Sequence, residues 1–293
     1  MIPLRDDNPT RHFPVVTLAI ILLNVMAFFF WEPTFGSQER QEVFFYCHAE
    51  IPWEVTHQVS LADGGASAQS AIANEFHDSP SNAAAFQRFL AARCGDKSWW
   101  QSLFVAMFLH GGWLHIGGNM LFLWVFGNNV EDKLRPIGYA LFYLAAGLVA
   151  SFVQLAVSAN SVVPNLGASG AIAGVLGAYL LMFPRRKVLT LVVFFIITAI
   201  YLPAYVVLGL WFVLQLFNGV GSLSARVADT GVAFWAHIGG FAFGALLAAL
   251  FFPKERFRET PAPPRPDMWG RRRGGWRRRR GPSDSGDEWP KQW

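Results

Sequence analysis

Long apolar runs separated by short polar joints dominate the chain, and strict two-residue alternation is rare. Six runs approach the roughly 20 residues that a helix needs to cross a bilayer core. They are Phe13 to Trp31, about Leu103 to Phe126, Ile137 to Val157, Ala168 to Phe183, Val188 to about Phe212, and about Val232 to Phe252. Backbone polar groups in lipid are satisfied only in helices or closed barrels, and unalternated stretches such as "LTLVVFFIITAIYLPAYVVLGLWFVL" argue for helices, the fifth bent at Pro203. The expected fold is therefore all-α, a polytopic bundle of six transmembrane helices. The first run is long and ends in "FFFWEPTFG" without a small-x-small cleavage site, so it reads as a retained span and not as a signal peptide.

Composition supports a membrane protein, with 53% hydrophobic and only 15% charged residues. Charge placement then sets an orientation. With Met1 in the cytoplasm, Arg5, Arg11, Lys133, Arg135 and Arg185 to Lys187 fall inside, and the outer loops between later spans hold only Arg226. The resulting division is a cytoplasmic N-terminus (1–12), a membrane domain (13–252) with an extracytoplasmic insertion at 32–100, and a cytoplasmic tail (253–293). A bacterial inner membrane is the expected location, with both termini cytoplasmic.

The insertion carries nine acidic and four basic residues and both cysteines of the chain, Cys47 and Cys94. A pair confined to one exported region suggests a disulfide, and two unpaired buried thiols are the alternative. The segment itself reads either as a small folded cap or as a partly disordered loop. His48, His57 and His77 within it match no metal spacing. The tail from Lys254 onward holds twelve basic and six acidic residues, so its net +6 exceeds the whole chain's +4. Rich in Pro, Gly and Arg, it should be disordered, with a solvated tail that only fixes topology and contact with anionic lipid headgroups as the main readings and RNA binding as a weaker one. No nucleic-acid partner, metal or cofactor is expected.

Polar residues inside the apolar runs are the candidate chemistry. His110, His115 and Asn119 open the second run, Ser169 opens the fourth, and His237 lies early in the sixth. Ionisable groups at such depth are costly and face bundle interiors or wet cavities. Ser169 is 14 residues before Phe183 and His237 is 15 before Phe252, which puts both roughly 21 to 23 Å from the cytoplasmic ends of their helices. Gly167, Gly170, Gly174 and Gly177 recur along one face of the fourth run, and Gly240 and Gly244 form a G-x-x-x-G in the sixth, so the two helices can close enough for Ser169 to meet His237. A serine needs a base to become a nucleophile, and a neutral imidazole suits that task. His115 and Asn119, four apart, share a helix face and could donate to an oxyanion together with the Ser169 amide.

These residues resemble the rhomboid intramembrane serine proteases. The matching features are His110, His115 and Asn119 as H-x-x-x-x-H-x-x-x-N, Gly167, Ser169 and Gly170 as G-x-S-G, and Ala236, His237, Gly240 and Gly244 as A-H-x-x-G-x-x-x-G, in that order on runs two, four and six. The resemblance implies a Ser–His dyad of Ser169 and His237, an oxyanion site of His115, Asn119 and the Ser169 amide, and cleavage of single-pass membrane proteins in or near their transmembrane segment. His110 would have an orienting or interfacial role near the outer surface. Two departures stand out: "WWQS" occurs where many members have Trp-Arg, and Ala173 occurs where some place an aromatic residue against the catalytic histidine. The competing reading within the family is an inactive member that binds membrane clients. A transporter would show intramembrane Asp, Glu or Arg, which the spans almost lack. "HGGWLH" has no zincin spacing, and Ala171 breaks a G-x-S-x-G elbow.

Overall fold

The computed structural model describes residues 1–193, 197–223 and 232–252. The Arg-rich tail and Arg226 lie outside the described residues. Strand β1 (Ile2–Asp6) precedes α1 (Val15–Met26), which ends in a π-turn at Ala27–Trp31. A group of short helices follows: α2 (Gln38–His48), α3 (Pro52–His57), α4 (Gly65–Phe76) and α5 (Pro80–Cys94). Next come α6 (Trp99–Val105), α7 (Trp113–Phe122), a π-turn at Leu123–Gly127, and α8 (Asn128–Ser158). The order closes with α9 (Ser169–Met182), β2 (Lys187–Val193), β3 (Ile197–Pro203), α10 (Ala204–Ser222) and α11 (Phe234–Phe251).

The protein is mostly helical, as the apolar runs predict. The stretch 113–158 and helices α10 and α11 are long and apolar enough to cross a membrane, and 15–31 and 169–182 are shorter apolar helices. The stretch 113–158 divides at Arg135, which has φ 65° and ψ 160°. Pro136 follows it, lacks an amide hydrogen and disfavours helical backbone in the residue before it, so the chain bends there.

Two expected helices have different boundaries. The run read as a span from Val188 to Phe212 begins instead as two strands, in which β2 pairs antiparallel with β3 and β1 adds to the other edge of β2. Its first half, "KVLTLVV" and "ITAIYLP", is rich in β-branched residues that are stiff at χ1 and favour strands. Hydropathy alone could not separate a buried helix from such strands. Pro203 is extended and stands just before α10, where a missing amide hydrogen is harmless. The run from Leu103 is likewise broken, because α6 ends in a single 3₁₀ turn and Leu109 is extended. Gly112, at φ 152°, then turns the chain into α7.

At the centre stands α9, buried from Gly170 through Tyr179 and again at Met182, hydrophobic on all sides as a bundle's inner helix should be. Glycine lets α11 lie against it. A side chain on Gly240 would meet the carbonyl oxygen of Gly170, one on Gly244 would meet that of Gly174, and one on Gly177 would meet that of Phe241. At the face that carries Met1, the Glu131 carboxylate accepts from the Val16 and Thr17 amides at 2.9 and 2.8 Å and from the Thr17 hydroxyl at 2.7 Å, fixing the start of α1.

On the opposite face, α2 to α5 form a folded cap with its own apolar core around Ile51, Trp53, Leu61, Ile72 and Leu90. Cys47 and Cys94 are bonded to each other within it, their Cα atoms 4.8 Å apart. Backbone bonds from Trp53 to Ser161 (3.0 Å) and from Asn165 to Glu50 (2.7 Å) tie the cap to the segment that leads into α9.

Candidate active site

Ser169 is the first residue of α9, so its amide belongs to the turn whose N–H groups have no intrahelical acceptor. The preceding Gly167 has φ 123°, a conformation open to glycine, and its amide donates to the carbonyl of Ala106 at 2.8 Å. The Ser169 Oγ is 2.7 Å from Nε2 of His237, on α11. Glycine spacing explains the approach: Gly170, beside the serine, lies against Ala150 of α8 and Ala236 of α11 where bulkier residues would hold the helices apart.

His115 and Asn119, on α7, come to the same place. The His115 ring lies over Gly167, close enough that a Cβ there would come within 2.7 Å of its Nε2. The Gly111 amide donates to the ring's Nδ1 at 3.3 Å, which leaves Nε2 as the N–H that faces Gly167. Asn119 is buried, and its side-chain amide nitrogen has no partner among the described residues. His115, Asn119, Ser169 and His237 all line one cavity of about 430 Å³, whose apolar wall includes Phe122 and Trp211. The arrangement places a hydroxyl, an imidazole acceptor and several N–H donors around one apolar space. That is chemically suited to attack on a carbonyl carbon and to holding the resulting oxyanion.

His110 does not join them. It is wholly buried, with its ring 5.1 Å from that of His115 and its backbone amide donating to Glu32, the first residue of the 32–100 insertion, at 3.1 Å.

Two polar residues at the site were not among the sequence candidates. Gln215 of α10 places its Oε1 2.8 Å from Nδ1 of His237. The sequence reading ended the fifth span near Phe212, three residues short of it. Glu50 of the cap lines a second cavity of about 40 Å³ together with Ser151, Gln154, Asn165 and Ser169. Its carboxylate accepts from the Ser151 hydroxyl at 2.7 Å and makes no bond to His237, and burial pushes its carboxyl above the usual range. An acidic group is thus near the serine, although the apolar runs read from the sequence hold no Asp or Glu. Its sequence signal was weak, because Glu50 lies in an insertion with nine acidic residues.

Comparison with known proteins places the chain in a family. The family model "Rhomboid domain" matches residues 96–254, more than half of the chain. "Rhomboid protein 1, mitochondrial" of Saccharomyces cerevisiae is 35% identical over 95 residues, 31% of this chain and 28% of that protein. "Rhomboid-like protein 11, chloroplastic" of Arabidopsis thaliana is 33% identical over 97 residues, 32% of this chain and 34% of that protein. The human "Presenilin-associated rhomboid-like protein, mitochondrial" is 27% identical over 168 residues, 54% of this chain and 39% of that protein. The match thus spans well under half the length of each of these relatives. Their names also correct the expected location, since mitochondrial and chloroplastic relatives point to an organellar membrane and away from a bacterial inner membrane. An integral membrane protein with a mostly helical bundle, matched by that family model through α6 to α11, belongs to the rhomboid family.

Proposed function

We propose that this protein is an intramembrane serine endopeptidase that crosses an organellar membrane six times and cuts single-pass membrane proteins in or near their transmembrane segments. The observation that carries the reading is the 2.7 Å approach of Ser169 Oγ to His237 Nε2 at the edge of a cavity that His115 and Asn119 also line. In the proposed reaction His237 takes the hydroxyl proton as Ser169 attacks the scissile carbonyl. The oxyanion accepts from the Ser169 amide, His115 Nε2–H and the Asn119 amide group. The proton then passes to the leaving amine, and water releases the acyl group by the reverse path. The apolar wall accommodates an unwound stretch of a transmembrane segment. The Arg-rich tail is proposed to contact anionic lipids.

The test is cleavage of a transmembrane reporter together with labelling by a fluorophosphonate. Ser169→Ala should abolish both while leaving the fold intact, and His237→Ala should abolish labelling of Ser169. Asn119→Ala should slow turnover by about 10²- to 10³-fold, the usual consequence of losing one oxyanion donor. Full reporter cleavage by purified Ser169→Ala protein would overturn the mechanism. A folded wild-type protein that binds the reporter but neither cuts it nor takes the label would identify a client-binding member instead.

A further inference from the structure

Helix α10 runs through the position where the apolar pattern was expected to end, and it brings two residues of one face to His237. Trp211 lies with its ring centroid 5.8 Å from the imidazole, and Gln215, one turn later, puts Oε1 2.8 Å from Nδ1. A primary amide in an apolar helix is costly to bury without a partner, and a leucine would fill the same space more cheaply. Here the partner is the nitrogen of His237 that does not face the serine.

We infer that Gln215 is a positioning residue for His237, selecting the tautomer in which Nε2 can accept the Ser169 proton. This rests on the dyad proposed above. The logic is one of donors and acceptors. A neutral imidazole carries one N–H, and a carbonyl oxygen at Nδ1 can only accept, so the hydrogen sits on Nδ1 and the lone pair on Nε2 points to Ser169 Oγ. With the amide turned over, its NH₂ would donate to Nδ1 and force the hydrogen onto Nε2, leaving no base for the serine. The orientation with Oε1 on Nδ1 is therefore the productive one. Gln215 performs the orienting part of the task that a carboxylate performs in a Ser-His-Asp triad, without placing a charge in the span.

The experiment compares Gln215→Leu, Gln215→Glu and Gln215→Met in the full chain, with the rate of fluorophosphonate labelling at Ser169 followed against pH and reporter cleavage resolved into kcat and KM. Wild-type labelling is the control on the dyad itself, and its absence would count against the proposed function and not against Gln215. Given that label, Gln215→Leu and Gln215→Met should lower the labelling rate and kcat by roughly 10- to 100-fold, the range seen when the partner that orients a functional histidine is removed, with KM unchanged. Gln215→Glu keeps an acceptor oxygen on Nδ1 and should restore most of the rate, with the acid limb of its pH profile moved to higher pH by the added negative charge. Equal labelling rates in wild type and a folded Gln215→Leu or Gln215→Met would overturn the proposal. So would a Gln215→Glu variant that folds but matches Gln215→Leu in both rate and pH profile, because a packing role alone predicts that result. If Gln215→Leu does not fold, Gln215→Met and Gln215→Glu decide the matter by the same two criteria.

Discussion

The α9–α11 pair and the cap are two solutions to holding helices together, written in different solvents. Between α9 and α11 the contact is glycine against backbone carbonyl, without a charged side chain on either helix. In the cap, short helices converge on a small apolar core, joined by the Cys47–Cys94 bond and a buried ion pair of Lys97 Nζ with Glu54 at 2.6 Å. Lipid offers helices no hydrophobic gain from association, so close packing has to supply the attraction. In water a core of this size gains from burial but needs staples. The difference teaches that the approach of Ser169 to His237 depends on backbone packing, whereas the cap depends on side-chain chemistry.

The largest test of that contrast is Gly240→Leu. It changes no reacting atom, yet the new side chain would collide with the Gly170 carbonyl, next to Ser169. Parting α9 from α11 by even about 1 Å should cost on the order of 100-fold in activity, so both reporter cleavage and Ser169 labelling should nearly disappear. The cap should stay folded, with Cys47 and Cys94 still protected from alkylation under native conditions. Full activity in this variant would remove the backbone-approach argument and leave the dyad assignment intact.

Second in size is Lys97→Met, aimed at the cap. Burial pushes the Glu54 carboxyl up and the Lys97 amine down, and the ion pair opposes both shifts. Removing the lysine leaves Glu54 buried without its cation and also removes a 2.8 Å bond to the Tyr46 carbonyl. Breaking a buried pair in this way typically costs about 3–5 kcal/mol. Proteolysis should therefore open the segment 38–94 first, and Ser169 labelling should fall less than in Gly240→Leu, since the cap is tied to the segment before α9 by bonds such as Asn165 to Glu50 and the variant leaves these in place. Cap proteolysis unchanged from wild type would show that the pair contributes no net stability.

What the sequence made legible follows the same division. Glycine spacing and isolated polar residues in apolar runs stand out because lipid makes both unusual, so Ser169, His237, His115 and Asn119 group together in the sequence alone. Gln215 was missed because the run before it was assigned wholly to helix; 188–193 and 197–203 in fact form strands, and the true helix starts and ends later. Glu50 was missed because an acidic residue in an acidic segment, read from the sequence as lying outside the membrane, carries no signal. The pairing of β1 with β2 joins residues more than 180 positions apart, which no local pattern announces.

The smallest expected effect sharpens the comparison at the far end of α9, where a charged group does meet the bundle. Asp6 of β1 accepts from the Tyr179 hydroxyl at 2.6 Å and from the Asn129 side-chain amide at 2.8 Å. Burial raises its carboxyl from an ordinary 3.8 to about 6, overriding the hydrogen bond from Tyr179, which acts in the opposite direction. Between those two values the folded state holds a proton that the unfolded state has released. This stabilising contribution is therefore complete below pH 3.8, declines as the pH rises through about 6, and is constant above that. Asp6→Asn removes the titration, so the difference in Tm between wild type and variant in detergent should shift against the wild type from pH 4 to 6 and level off above. Labelling of Ser169, measured at a pH above that window, should not change. Tyr179 is ten residues further along α9, about 15 Å from the serine, and a rigid, glycine-packed helix transmits little of a local charge change over that length. Parallel Tm profiles for the two proteins would show that Asp6 ionises as freely as an exposed carboxylate, and that β1 is held to the bundle by its strand pairing alone.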